Sequence, residues 1–190
     1  GYVNTFAIRF YPYGFANFVN TPLKDLANKE TPIHDLFDRE VANELEQKII
    51  RASNSEERIR IIEEFLLDKM KEEAMMNKIV KSTIDALLAT NGSASISSIL
   101  QDDLTKRRQL ERNFLKQIGV SPKQMGKVIR LQTALKMLLN KKEEKLTEIA
   151  YESAYFDQAH FIKDFKEFTG INPKEFLGNE NMTLSSLFYK

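Results

Sequence analysis

The 190 residues predict a mainly α chain: a small α+β N-terminal part, then an all-α domain in which two helix-turn-helix units are joined by a long helix. Three observations carry this. Apolar residues recur at helical spacing from Leu36 onward, no strand alternation appears after residue 20, and the pattern short helix, tight turn, longer helix occurs at 96–117 and again at 147–168.

Taken in order, residues 5–18 read as two short strands around the turn Tyr11-Pro-Tyr-Gly14. Leu36, Val41, Leu45 and Ile49 then mark a helix, and Ser53-Asn-Ser55 followed by Glu56-Glu57 marks a break, an N-cap and an acidic first turn. Ile59, Ile62, Phe65 and Leu66 continue as a second helix, and Ile79 to Leu88 form a third that stops at Thr90-Asn-Gly92. Helices are expected at 96–102, 105–117, 122–140, 146–152, 157–168 and 173–176. Ser121-Pro122 is a strong start, because the Ser hydroxyl accepts from free N–H groups and Pro lacks the N–H that would be orphaned there. Thr105, Thr147 and Asp157 are the other expected caps. Cut near residue 70, the chain divides into domains 1–70 and 71–190. It begins at Gly1 with a strand-like element, so it reads as a piece of something longer.

Composition removes several classes of chemistry. The absence of Cys excludes disulfides, thiol nucleophiles and cysteine-ligated metal, and two histidines, His34 and His160, cannot build a three-His site. No apolar run approaches the roughly 20 residues of a membrane span. The acidic pairs Glu63-Glu64, Glu72-Glu73 and Glu143-Glu144 are adjacent, so on a helix they diverge rather than converge on one atom. With no phosphate loop, nucleophile elbow or metal-binding pair, the expectation is a protein that is not an enzyme and uses no cofactor.

Charge is informative only when divided. Against a total of 28 basic and 27 acidic residues, residues 1–70 sum to −3, while residues 106–142 hold eleven Lys or Arg and one acid, Glu111. Such a concentration suits a surface that lies against phosphates, although surplus Lys on a solvated face gives the same count. Spacing separates the two. In the 105–117 helix, Leu110 and Phe114 share one face while Thr105, Arg108, Gln109, Arg112 and Lys116 fall opposite. In the 157–168 helix, Phe161, Phe165 and Phe168 form the expected buried stripe; Ala159, His160, Lys163 and Lys166 face outward, with Gln158 near the N-terminus. The 122–140 helix is about 28 Å long at about 1.5 Å per residue, against about 34 Å between successive major-groove faces.

Arg108-Gln-Leu-Glu-Arg112 with Phe114, Gly119-Val-Ser-Pro122, Ile149-Ala150, Asp157-Gln-Ala-His-Phe161 with Phe165-Lys166, and Thr169-Gly-Ile-Asn-Pro173 occur in that order. Together they resemble the C-terminal DNA-binding domain of the AraC/XylS family of bacterial transcription regulators, over about residues 75–177. The resemblance implies sequence-specific binding to double-stranded DNA by two recognition helices, with Arg108, Gln109 and Arg112 as contacts of the first unit and Gln158, Ala159, His160 and Lys163 as contacts of the second. It implies a cytoplasmic regulator, with RNA polymerase as a partner and a small-molecule effector for the full-length protein; the operator, the effector and the sign of regulation, activator or repressor, stay open. Arg9-Phe-Tyr-Pro-Tyr-Gly14 and the two helices that follow resemble, more weakly, the end of a sensor domain in one subgroup. There are departures. Leu100 replaces a small Ala, Lys106 replaces a frequent Ser, and Ala154 replaces a turn Gly, where altered turn geometry is the expectation. The competing reading is a protein-interaction scaffold without DNA contact, against which the Lys/Arg face argues, because interface cores are depleted of charge.

Overall fold

The computed structural model describes residues 5–70, 77–101, 103, 105–140 and 145–178. Among them the regular structure is entirely helical: α1 (Arg39–Arg51), α2 (Ser55–Lys69), α3 (Lys78–Ala89), α4 (Ile96–Ile99), α5 (Thr105–Ile118), α6 (Pro122–Asn140), α7 (Leu146–Glu152), α8 (Gln158–Thr169) and α9 (Pro173–Leu177), preceded by three 3-10 turns. The apolar tail 184–189, the acidic pairs at 72–73 and 143–144, and Lys141 and Lys142 lie outside the described residues.

The chain divides into two compact units, one of residues 1–78 with 110–120, the other of residues 79–109 with 121–190. In the first, the strand pair expected over residues 5–18 is absent. Residues 5–11 have no regular structure, Gly14 N donates to Tyr11 O at 2.8 Å, and a 3-10 turn runs Phe15–Asn17. The Pro and Gly that suggested a hairpin turn instead precede this 3-10 turn, and Phe15 and Phe18, three apart, both pack on Phe10 at 5.1 and 5.7 Å between centroids. That is the spacing at which 3-10 side chains line up. The small α+β N-terminal part is therefore helical and irregular among the described residues.

Helix α1 starts at Asp38, whose carboxylate accepts from Glu40 N and Val41 N, so Leu36 belongs to the preceding turn rather than to the helix. Helix α2 starts at Asn54, which accepts from Glu57 N at 2.8 Å while the Glu57 carboxylate accepts from Ser53 N. The two helices pack through Ala42 and Leu45, and Phe65 of α2 meets Phe37 edge-on at 5.0 Å.

The core of the second unit runs through Leu131, Ala134, Leu135 and Leu138 of α6, Ile149 and Ala150 of α7, Phe161 and Phe165 of α8, and Phe176 of α9. Tyr155, Phe161, Phe165 and Phe176 form a chain of ring contacts at 5.3 to 5.7 Å. Phe168, expected in the same stripe, is 43% exposed. Its helical phase is right, but α8 ends one residue later, beyond the reach of this core.

Helix α6 has the expected bounds, with Pro122 first, Ser121 Oγ accepting from Gln124 N at 3.2 Å and Gln124 Oε1 accepting from Ser121 N at 3.0 Å. The turn after α3 packs against α6 through two glycines. Gly92 has φ +79°, and a Cβ there would stand 2.2 Å from Gly126 O, so no other residue fits.

Candidate nucleic-acid interface

Each helix-turn-helix unit is built the same way locally. Five residues separate α4 from α5 and five separate α7 from α8, and in both connections the second residue is left-handed: Gln101 at φ +51° and Ala154 at φ +60°. The departure at Ala154 is thus met by keeping the left-handed turn on a non-glycine residue rather than by a different turn. Leu100 N bonds Ile96 O and Gln101 N bonds Ser98 O; Ser153 N bonds Ile149 O and Ala154 N bonds Tyr151 O.

In the first unit, Asp103 rather than Thr105 supplies the capping acceptor. Its Oδ1 accepts from Thr105 N at 3.1 Å and from the Thr105 hydroxyl, and its Oδ2 pairs with Lys106 Nζ at 2.8 Å. The Lys106 ammonium, then the Thr105 hydroxyl, hold the Asp103 carboxyl down at about 2. Along α5, Leu110 and Phe114 are fully buried, while Thr105, Arg108, Gln109, Arg112 and Lys116 are all exposed on the other face. Arg108, Gln109, Arg112 and Lys116 carry no side-chain hydrogen bond or ion pair to any of the described residues. Among the described residues, nothing holds these four in place.

In the second unit, Lys145 rather than Thr147 occupies the cap position of α7, and Thr147 lies inside the helix with its hydroxyl 2.6 Å from Gln158 Oε1. Asp157 caps α8 as expected, accepting from His160 N at 2.7 Å. Ala159, Lys163 and Lys166 are exposed; Gln158 and His160 are half-buried. His160 Nε2 lies 3.6 Å from Asp164 Oδ2, and its ring stands edge-on to Tyr155.

The basic segment is less uniform than its count suggests. Lys127 pairs with Asp164 at 3.0 Å and Glu167 at 3.3 Å, and the hydrogen bond to Asp164 raises its ammonium above the usual lysine range. Arg130 donates from Nη1 to Gly92 O at 2.6 Å and stacks 5.4 Å from the Tyr155 ring centroid. These two cations, together with the Asp103-bound Lys106, serve the fold. A charge count could not reveal this, because their partners lie far away in sequence or in a turn not recognised as a cap. His34 stands 44% exposed beside Asp35, in the 3-10 turn Ile33–Asp35 that precedes α1. Among the described residues, no group of three or more His, Cys, Asp or Glu could hold a metal ion, and no helix is long and apolar enough to cross a membrane.

Comparison with known proteins bears on the same stretch. The helix-turn-helix domain family matches residues 105–179. A protein of Haemophilus influenzae described as an uncharacterized HTH-type transcriptional regulator is 28% identical over 104 residues, which is 54% of this chain and 35% of that protein. The chain therefore matches about a third of that relative's length. No solved structure matches. Helices α5 to α9, with the left-handed turn at Ala154, fall within the matched residues, so residues 105–179 match the AraC-type helix-turn-helix domain.

Proposed function

We propose that the chain binds double-stranded DNA sequence-specifically and regulates transcription, with α5 and α8 as the two recognition helices in successive major grooves. The observation that carries this reading is the α5 face, where Arg108, Gln109, Arg112 and Lys116 stand exposed, held by none of the described residues, opposite a fully buried Leu110 and Phe114. Arginine suits bidentate contact with guanine, glutamine suits adenine, and lysine suits phosphate.

Thr105 would meet the backbone beside them. On α8, Gln158, Ala159 and His160 would face base edges, while Lys163 and Lys166 would meet phosphates. The 19 residues of α6 span about 28 Å, near the groove repeat of about 34 Å. In this organisation residues 1–70 close a sensor-like domain and residues 71–190 form the DNA-binding domain of a cytoplasmic regulator, with RNA polymerase and an effector of the longer protein as its further partners.

The interaction-scaffold reading has one observation in its favour: Phe156 and Tyr151 stand 84% and 61% exposed beside the α7–α8 turn. Selection of bound sites from random duplex DNA separates the two. The DNA reading expects enrichment of two half-sites about 10 base pairs apart, centre to centre. A pool that stays random after repeated selection contradicts it.

A further inference from the structure

Behind the exposed face of α8 lies a polar cluster that contact with a duplex does not explain. Asp164 is 2% exposed, an expensive place for a carboxylate unless it is paired. Its Oδ1 is 3.0 Å from Lys127 Nζ of α6. Its Oδ2 makes no hydrogen bond and lies 3.6 Å from His160 Nε2, one turn earlier on α8. The His160 ring meets Tyr155 at 5.3 Å and 88°. Tyr155 is itself buried, and burial first, then the Asp164 charge, push its phenol up to about 12 against the opposing Arg130. One buried carboxylate thus joins α6, the turn residue and the half-buried imidazole.

A buried ion pair is a weak device for stability, since an apolar pair of similar volume often does as well or better. What it adds is direction, because the two charges must meet at one geometry. We infer that Asp164 is the positioning residue of the second recognition helix: through Lys127 it fixes α8 on α6, and it holds the His160 imidazole in one orientation on the DNA-facing side. Lys127, with its side chain 22% exposed, then belongs to this anchor and not to the phosphate contacts. The inference rests on the DNA-binding reading above and deepens it, since orientation held from behind is what lets side chains discriminate bases.

The test is a double-mutant cycle in the whole chain, comparing Lys127→Met, Asp164→Leu, the double variant and Lys127→Arg. Urea unfolding, which needs no DNA, is read beside affinity and base preference on a selected duplex. Lys127→Met should lower the unfolding midpoint more, by stranding the buried Asp164 carboxylate, and Asp164→Leu less, because Lys127 keeps Glu167 at 3.3 Å; the double variant should recover the loss of Lys127→Met. The double variant should nevertheless bind about tenfold more weakly, with base preference blurred under α8 and the salt dependence unchanged, whereas Lys127→Arg should keep both affinity and preference. A double variant that recovers affinity and preference along with stability overturns the inference. So does a Lys127→Met protein whose salt slope falls by about one while its preference stays intact, for that marks a phosphate contact. A parent that enriches no duplex overturns the DNA reading itself, and shows this before any variant is made.

Discussion

The two helix-turn-helix units share a turn but present their recognition helices differently. On α5, Arg108, Gln109, Arg112 and Lys116 project from a helix whose buried stripe begins at its sixth residue, Leu110, and no described residue holds them. On α8 the stripe begins at the fourth residue, Phe161, and the side chains beside it are held from behind: Gln158 by Thr147, His160 by Asp164 and Tyr155. An unheld cation loses more conformational entropy on binding and depends more on salt, whereas a held polar group gives discrimination at smaller cost. The first unit is accordingly expected to carry more of the affinity, and the second more of the selectivity for its size.

The largest effect should come from the apolar anchors that both units need. Phe114→Ala and Phe161→Ala each remove a fully buried ring and should cost about 3–5 kcal/mol in urea unfolding, enough to abolish DNA binding by unfolding the domain. Next, Arg112→Ala should weaken binding by about 1–3 kcal/mol, while Lys163→Ala should weaken it less and uniformly across sequences, lowering the salt slope by about one. Unchanged affinity in a folded Arg112→Ala protein would rule out that contact for Arg112.

Thr147→Val tests the held side directly. Losing its bond to Gln158 should cost about 0.5–1.5 kcal/mol of base preference under α8, Thr147→Ser should restore it, and a Gln158→Ala background should show no effect. The turns come next: Ala154→Gly and Gln101→Gly should each stabilise the fold by about 0.5–1 kcal/mol, because both residues occupy the left-handed region. Destabilisation by either would mean that the side chain is doing something other than filling the turn.

The smallest effect is acid-dependent. The Asp103 carboxyl, held down to about 2, helps fold the start of α5 fully above the ordinary carboxylate range of about 4, and the help drains away as pH falls towards 2. Asp103→Asn should therefore be less stable than the parent at neutral pH, with the gap shrinking as pH falls from about 4 through 2, as followed by helical circular dichroism; a gap undiminished over that range would rule out the ionised carboxylate as the cause.

Much of this was legible before the fold was. The bounds of α6 and α7 followed from Ser121-Pro122 and from apolar spacing, and the exposed rows on α5 and α8 followed from helical phase about Leu110, Phe114, Phe161 and Phe165. The misreadings share a physical origin. A strand needs a partner edge, which the turn signal Tyr11-Pro-Tyr-Gly14 cannot supply, and Phe15 and Phe18 close on Phe10 at 3-10 spacing instead. Phe168 has the right phase but lies past the end of the core. Lys127 and Arg130 look like surplus charge until Asp164 and Gly92, 37 and 38 residues away, are brought beside them.

The most direct check of the central claim is a salt titration of the intact chain on a selected duplex. Arg108, Arg112, Lys116, Lys163 and Lys166 are exposed, and if about four of them meet phosphates, log affinity should fall linearly with log salt at a slope of about −3 to −4. A flat titration, with affinity unchanged between low and moderate salt, would contradict it.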